Sequence, residues 1–123
     1  MWQKKSGNKY HAKSSVYNGN YYHSQFEAAY AQELDFRLKA HDIKSWRRQV
    51  KIPLQVNGRH ITNYIMDFEV THNDGSVELI ECKGFETDVW IMKWRLLEAI
   101  YCVEQPDVRL TLVKKQSTWG RGR

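Results

Sequence analysis

A chain of 123 residues, 41% hydrophobic and 27% charged, has the size and composition of one globular domain, able to bury a single core without disulfides or structural metal. Lys and Arg number 19 against 14 Asp and Glu, and the resulting formal charge of +5 favours polyanionic partners, nucleic acid foremost. Cys82 and Cys102 are too few and too badly spaced for a disulfide framework or a tetrahedral zinc site, and no apolar run approaches the ~20 residues of a membrane span, so a cytoplasmic, reducing setting without a membrane partner is expected.

Residues 1–23 mix Lys, Ser, Asn, Gly and Tyr without sustained periodicity and are expected to form a basic, aromatic N-terminal arm. In it Lys9, His11 and Lys13, interleaved with Tyr10, Tyr17, Tyr21 and Tyr22, can pair with phosphates while rings stack on bases; the alternative is a segment whose aromatics pack on the core. Ser24 and Glu27 then form a capping box, and Phe26, Tyr30, Leu34 and Leu38 predict an amphipathic helix over 24–40. Alternation over 43–54, with Pro53 at an end or edge, predicts a first strand, and Asn57-Gly58 a turn. Residues 59–71 and 77–83, joined by a turn at Asp74-Gly75, predict an antiparallel pair of strands. A second helix capped by Thr87 runs to about 105 with a stripe of Val89, Met92, Leu96, Ala99, Ile100 and Val103. It leads to a buried strand at 108–113, whose crossover connection places it parallel to the strand at 77–83. The expected class is α/β, with an αβββαβ core over 24–114, a mixed four-stranded sheet flanked by helices, and a basic tail at 115–123.

The chemistry concentrates on the predicted hairpin. Alternation puts Val77, Leu79, Glu81 and Lys83 on one strand face, and antiparallel pairing brings Asp67 opposite roughly Glu81 or Cys82. Two adjacent carboxylates repel, and a hard divalent cation such as Mg2+ removes that cost. Lys83 can then orient water or stabilise charge developing on a phosphate. Glu-x-Lys by itself is usually a solvated pair, but apolar residues on both faces of 77–82 argue for a central strand, where charges require a partner or ligand.

Tyr64-Ile65-Met66-Asp67-Phe68, followed by Leu79-Ile80-Glu81-Cys82-Lys83-Gly84, resembles the PD-(D/E)xK nuclease signature, with Met66 in place of the usual Pro. The lead-in from Ser24 and Glu27 to Trp46 and Gln49, with Lys9-Tyr10-His11-Ala12-Lys13, is similar to small phage-encoded endonucleases and, more distantly, to TnsA-type transposon endonucleases. The resemblance implies a restriction-endonuclease-like fold, catalytic residues Asp67, Glu81, Lys83 and Glu27, and Mg2+ or Mn2+ held by Asp67, Glu81 and the Cys82 backbone carbonyl. Glu27 has an equal claim to be only the helix-cap partner of Ser24. DNA contacts are expected from Lys9, His11, Lys13, Arg47, Arg48, Gln49 and Lys93, although each also reads as a solvated surface residue.

The function expected is metal-dependent hydrolysis of DNA phosphodiesters, in the host cytoplasm if the gene is phage-borne. It is expected to be structure-selective, because no element that enters a groove is identifiable, and homodimeric where two strands are cut. The alternative is a non-catalytic nucleic-acid-binding module on the same fold.

Overall fold

A computed structural model describes residues 14–115; Lys9, His11, Lys13 and the expected tail beyond Lys115 lie outside them. The first departure from expectation comes at once. Residues 14–23 are not an extended arm: Ser15–Tyr17 (β1) and Asn20–Tyr22 (β2) pair antiparallel across Asn18-Gly19, both at positive φ (51° and 81°). Asn-Gly is a hairpin signal in its own right, but three-residue strands are too short to display a period. Tyr22 is only 1% exposed and packs on Phe68, so it belongs to the core and not to a base-stacking arm. Tyr17 donates to Asp35 Oδ2 at 2.6 Å, while Trp46 Nε1 donates to Asp35 Oδ1 at 3.0 Å, and that one carboxylate ties hairpin, helix and sheet together.

Helix α1 (Gln25–Lys39) starts as its capping box requires, with Ser24 Oγ accepting the Glu27 N–H at 3.1 Å. Glu27 Oε1 reaches back to the N–H of His23 at 3.1 Å, one residue beyond the predicted partner. Ala28, Ala31 and Leu34 are buried, whereas Leu38 of the predicted stripe is exposed: the two alanines let the helix lie close to the sheet and set its rotation. The helix ends at His41 (φ 64°), with Asp42 N–H on the Arg37 carbonyl and His41 N–H on that of Leu38, a Schellman closure.

Strands β3 (Ser45–Val56), β4 (Arg59–Thr71), β5 (Val77–Lys83) and β6 (Arg109–Lys114) form one mixed sheet in the order β3-β4-β5-β6. The β3–β4 and β4–β5 pairs are antiparallel and β5–β6 is parallel, as the helical crossover predicts. Pro53 lacks an N–H to donate and is accommodated because β3 is an edge strand. Asn57 and Gly58 hold φ at 52° and 79° in the turn. A Cβ at Gly58 would meet nothing within 4 Å, so Gly58→Ala carries backbone strain alone. It should destabilise the fold by about 1 kcal/mol, read as a lower denaturation midpoint at unchanged slope.

Helix α2 (Asp88–Glu104), capped by Thr87 Oγ1 on the Trp90 N–H at 3.1 Å, covers the opposite face of the sheet from α1. Its sheet-facing side is Trp90, Trp94, Leu97 and Tyr101, flanked by Leu96 and Ile100. Of the predicted stripe, Val89, Met92, Ala99 and Val103 face outward. Aliphatic residues alone suggested the wrong phase, because three large rings bury more area than the smaller side chains opposite them. No helix among the described residues is long and apolar enough to cross a membrane.

One irregularity positions the site. Trp46, Phe68 and Val70 pack toward α1, but Val50, Ile52, Tyr64 and Met66 pack toward α2, so the side-chain alternation along β3 and β4 is reset between them. The reset falls at Gln49, whose φ is 55°, between the pairs Arg48–Phe68 and Val50–Met66. The even-numbered residues predicted to share one face of this strand are therefore divided between two layers. A non-glycine residue held at positive φ within a strand marks local strain.

Candidate active site

The β4–β5 ladder runs from Thr71–Val77 to Phe68–Ile80 and stops short of Asp67. Asp67 Oδ2 instead accepts the Cys82 N–H at 2.8 Å, so a side chain occupies the place where backbone pairing would have continued. Into this opening come Glu27 from the first turn of α1 and Glu81 from β5. Glu27, Asp67 and Glu81 are the charged residues of the buried set, 6%, 9% and 5% exposed. Lys83 Nζ lies 3.5 Å from Glu81 Oε2 and 4.7 Å from the centroid of the Trp90 ring. Trp90 Nε1 in turn donates to the Tyr64 hydroxyl at 2.8 Å.

Burial dominates the electrostatics. It drives the Asp67 carboxyl well above the ordinary carboxylate range, helped by Glu27, placed to share a hydrogen bond, and by the charge of Glu81; the Cys82 N–H opposes the shift. Glu81 is also raised by burial, against the opposing influence of Lys83 and the Tyr64 hydroxyl. The Cys82 thiol is pushed up by burial and by the carboxylates around it, which leaves it an inert core group. Glu78, on the same strand, is the useful contrast. Burial works against its charge, yet Thr111 Oγ1 at 2.5 Å, His72 Nε2 at 2.8 Å and the nearby Arg109 hold it below its ordinary range. Glu81 Oε1 has no such company: it is buried without a hydrogen-bond partner.

Among the described residues, no group of three or more His, Cys, Asp and Glu side chains stands in a metal-holding arrangement. A Mg2+-type ion asks less of a protein, taking one or two carboxylates and completing its shell with water and substrate phosphate. Asp67 and Glu81 fit that requirement in chemistry. Both are hard oxygen donors, one oxygen of Glu81 is unsatisfied, and both carboxyls are pushed toward protonation where no cation neutralises them.

The fold thus brings together Asp67, Glu81, Lys83 and Glu27, and Glu27 both accepts the His23 N–H at the helix start and adjoins Asp67. The Cys82 backbone adjoins Asp67 through its N–H. Among the described residues, the predicted contacts Arg47 and Arg48 are engaged away from this cluster. Arg47 Nε is paired with Glu69 Oε1 at 2.6 Å, and Arg48 stacks on the Tyr22 ring at 4.2 Å while donating to the Tyr21 carbonyl at 2.6 Å. Gln49 is exposed at the kink, and Lys93 is half-buried on α2. Tyr64 and Trp90 were not anticipated. Tyr64 stands three residues before Asp67, and reading strand phase across the kink would have been needed to place it.

A direct consequence can be measured. Tyr64→Phe removes a group that favours the charged form of Glu81 and deprives the Trp90 N–H of its acceptor. The Glu81 carboxyl should titrate still higher in an NMR pH titration, with about 1 kcal/mol of stability lost. An unmoved Glu81 titration would remove Tyr64 from the site.

A comparison with curated proteins returns no match. The profile of a family described as a protein of unknown function (DUF1064) matches residues 7–119, a span that contains the two helices and six strands of the described residues and the four converging side chains. The chain therefore belongs to the DUF1064 family.

Proposed function

We propose that this protein is a metal-dependent DNA endonuclease built on a restriction-endonuclease-like αβββαβ core. One observation carries the reading: three buried carboxylates, Glu27, Asp67 and Glu81, meet beside Lys83 where the β4–β5 ladder breaks off, with one Glu81 oxygen unsatisfied. Such a cluster is costly to bury without a ligand, and buried carboxyls of perturbed pKa beside a specific charge partner mark a functional site.

In this reading Asp67 and Glu81, with the Cys82 carbonyl, hold Mg2+ or Mn2+, which when bound supplies charge neutralisation and a water of lowered pKa. Lys83, held between Glu81 Oε2 and the Trp90 ring, offers its ammonium to the phosphate oxygens as negative charge builds on them. Glu27 fixes the Asp67 carboxyl and can take up the proton they share. The net charge of +5 favours a polyanionic substrate, a homodimer is the assembly suited to cutting two strands, and the cytoplasm is the compartment expected.

The test is cleavage of linear duplex, single strand, flap and four-way junction DNA with Mg2+ or Mn2+, each run with the parent, Asp67→Ala and Lys83→Ala. Cutting by the parent alone supports the proposal. Salt-sensitive DNA binding with no cleavage, and no Mn2+ binding in a calorimetric titration, would replace it with the non-catalytic nucleic-acid-binding module.

A further inference from the structure

We infer that the outer half of the β3–β4 hairpin is a groove-entering ribbon that binds the major groove of duplex DNA. The inference rests on the nucleic-acid reading above and adds the element that the sequence did not reveal. Because β5 pairs with β4 only over Phe68–Thr71, the paired segments 50–56 and 59–66 extend past the four-stranded sheet as a two-stranded ribbon. One side of it, Ile52, Leu54, Tyr64 and Met66, is buried in the cluster that contains α2. The other side is open, with Ile61 and Ile65 49% and 45% exposed and Lys51, Gln55 and His60 also at the surface, while Arg59, paired with Val56, stands exposed at the tip beside the turn.

Charge identifies the occupant. The chain has 14 acidic residues, yet none falls between Asp42 and Asp67, a stretch that holds Lys44, Arg47, Arg48, Lys51 and Arg59. Lys51 and Arg59 are the basic residues of the ribbon itself, and among the described residues neither makes an ion pair, whereas Arg47 at its base is held by Glu69. A cationic strip left without acids suits a polyanion and repels a basic partner. The polar residues beside it, Gln55, His60 and Asn63, have the donors and acceptors that base edges take, and exposed isoleucines suit thymine methyls.

Shape points the same way. A two-stranded ribbon fits a major groove about 12 Å wide, and seven steps from Met66 to Arg59 span about 24 Å at ~3.4 Å each, comparable to several base pairs. The ribbon is braced for insertion by its Asn57-Gly58 turn and by the packing of one face under α2.

The test measures binding of a short fluorescent duplex without divalent metal, by anisotropy over a series of salt concentrations, for the parent, Lys51→Glu/Arg59→Glu, Lys39→Glu and Asp67→Ala. Lys39 lies in the last turn of α1, away from the ribbon. The double variant should bind at least about tenfold more weakly, with a log–log salt slope shallower by about two; Lys39→Glu should stay within about twofold of the parent. Asp67→Ala is carried through the same series and through the cleavage assay, so that the active site is read separately from the ribbon. Methylation of guanine N7 in the duplex should interfere with parent binding and no longer with that of the double variant. An unchanged affinity and slope in the double variant, at unchanged melting temperature, overturns the inference, as does equal competition by single-stranded DNA. These outcomes separate from the nuclease reading: if Asp67→Ala still cleaves, the active site is wrong and the ribbon stands, and if the double variant binds normally while Asp67→Ala loses cleavage, only the ribbon falls.

Discussion

Asp67→Ala and Lys83→Ala should each slow Mg2+-supported DNA cleavage by about 10²–10³-fold, the usual cost of deleting one preorganised charged group at a phosphoryl or acyl centre. Asp67 is positioned by the Cys82 N–H at 2.8 Å and neighboured by Glu27 and Glu81, at the point where the three buried carboxylates meet. Lys83 is similarly confined, its ammonium 3.5 Å from Glu81 Oε2 and over the Trp90 ring. Lys83→Arg should therefore rescue little, since a planar guanidinium cannot occupy the place of a compact ammonium between a carboxylate and an aromatic face. Glu27→Gln should be milder, about tenfold, because the amide still accepts the His23 N–H and keeps the helix cap. Duplex binding and melting temperature serve as controls. Rates equal to the parent's in both Asp67→Ala and Lys83→Ala would make the proposed chemistry untenable.

The second large effect is on stability. Asp67 has a folded-state pKa well above its unfolded value, driven first by burial, so the native state binds more protons than the unfolded chain at every pH between the two. The stability this contributes is fully present below the ordinary carboxylate range and declines as pH rises from there toward the raised folded value. Glu81 shifts in the same direction and adds to the decline. In the absence of divalent metal, the parent should therefore lose melting temperature from about pH 4 upward through neutrality. Asp67→Asn is neutral throughout and can still accept the Cys82 N–H, so it should melt several degrees above the parent at pH 8 and close to it at pH 4. Mn2+ should raise the parent at pH 8, by favouring the charged carboxylates, and leave Asp67→Asn nearly unmoved. A parent whose metal-free stability rises between pH 5 and 8 would contradict the burial of these carboxyls.

Much of this was legible in the chain itself, and for identifiable reasons. The Ser24 cap, the Asn57-Gly58 and Asp74-Gly75 turns and the alternation of 77–83 are local signals, set by backbone conformations within a few residues, and the structure has each where the sequence puts it. The β4–β5 register follows from the turn, which is why the sequence by itself puts Asp67 near Glu81 and Cys82. What misled was phase. On α2 the aliphatic residues trace one stripe and the rings another, and only packing against the sheet chooses between them. On β3 the alternation looks continuous, because nothing local announces that Gln49 adopts φ 55° and resets the face. The hairpin at 15–22 escaped because strands this short carry turn chemistry but no period.

By itself, then, the sequence determined the order of elements, the antiparallel partnership of 59–71 with 77–83, and the identity of the acids and lysine that could share a site, since all of these depend on turns, caps and alternation within a short span of chain. Tertiary structure alone decided that the ladder would stop at Phe68–Ile80, leaving Asp67 to accept a backbone N–H, while Glu27, which the family resemblance already names, reaches Asp67 from another layer. It alone joined Tyr64 and Trp90 to Glu81 and Lys83, and extended the acid-free segments 50–56 and 59–66 beyond the sheet. The physical reason is common to these cases: burial, pKa and the reach of an exposed ribbon depend on which distant residues pack alongside, and that is a property of the assembled layers and not of any one segment.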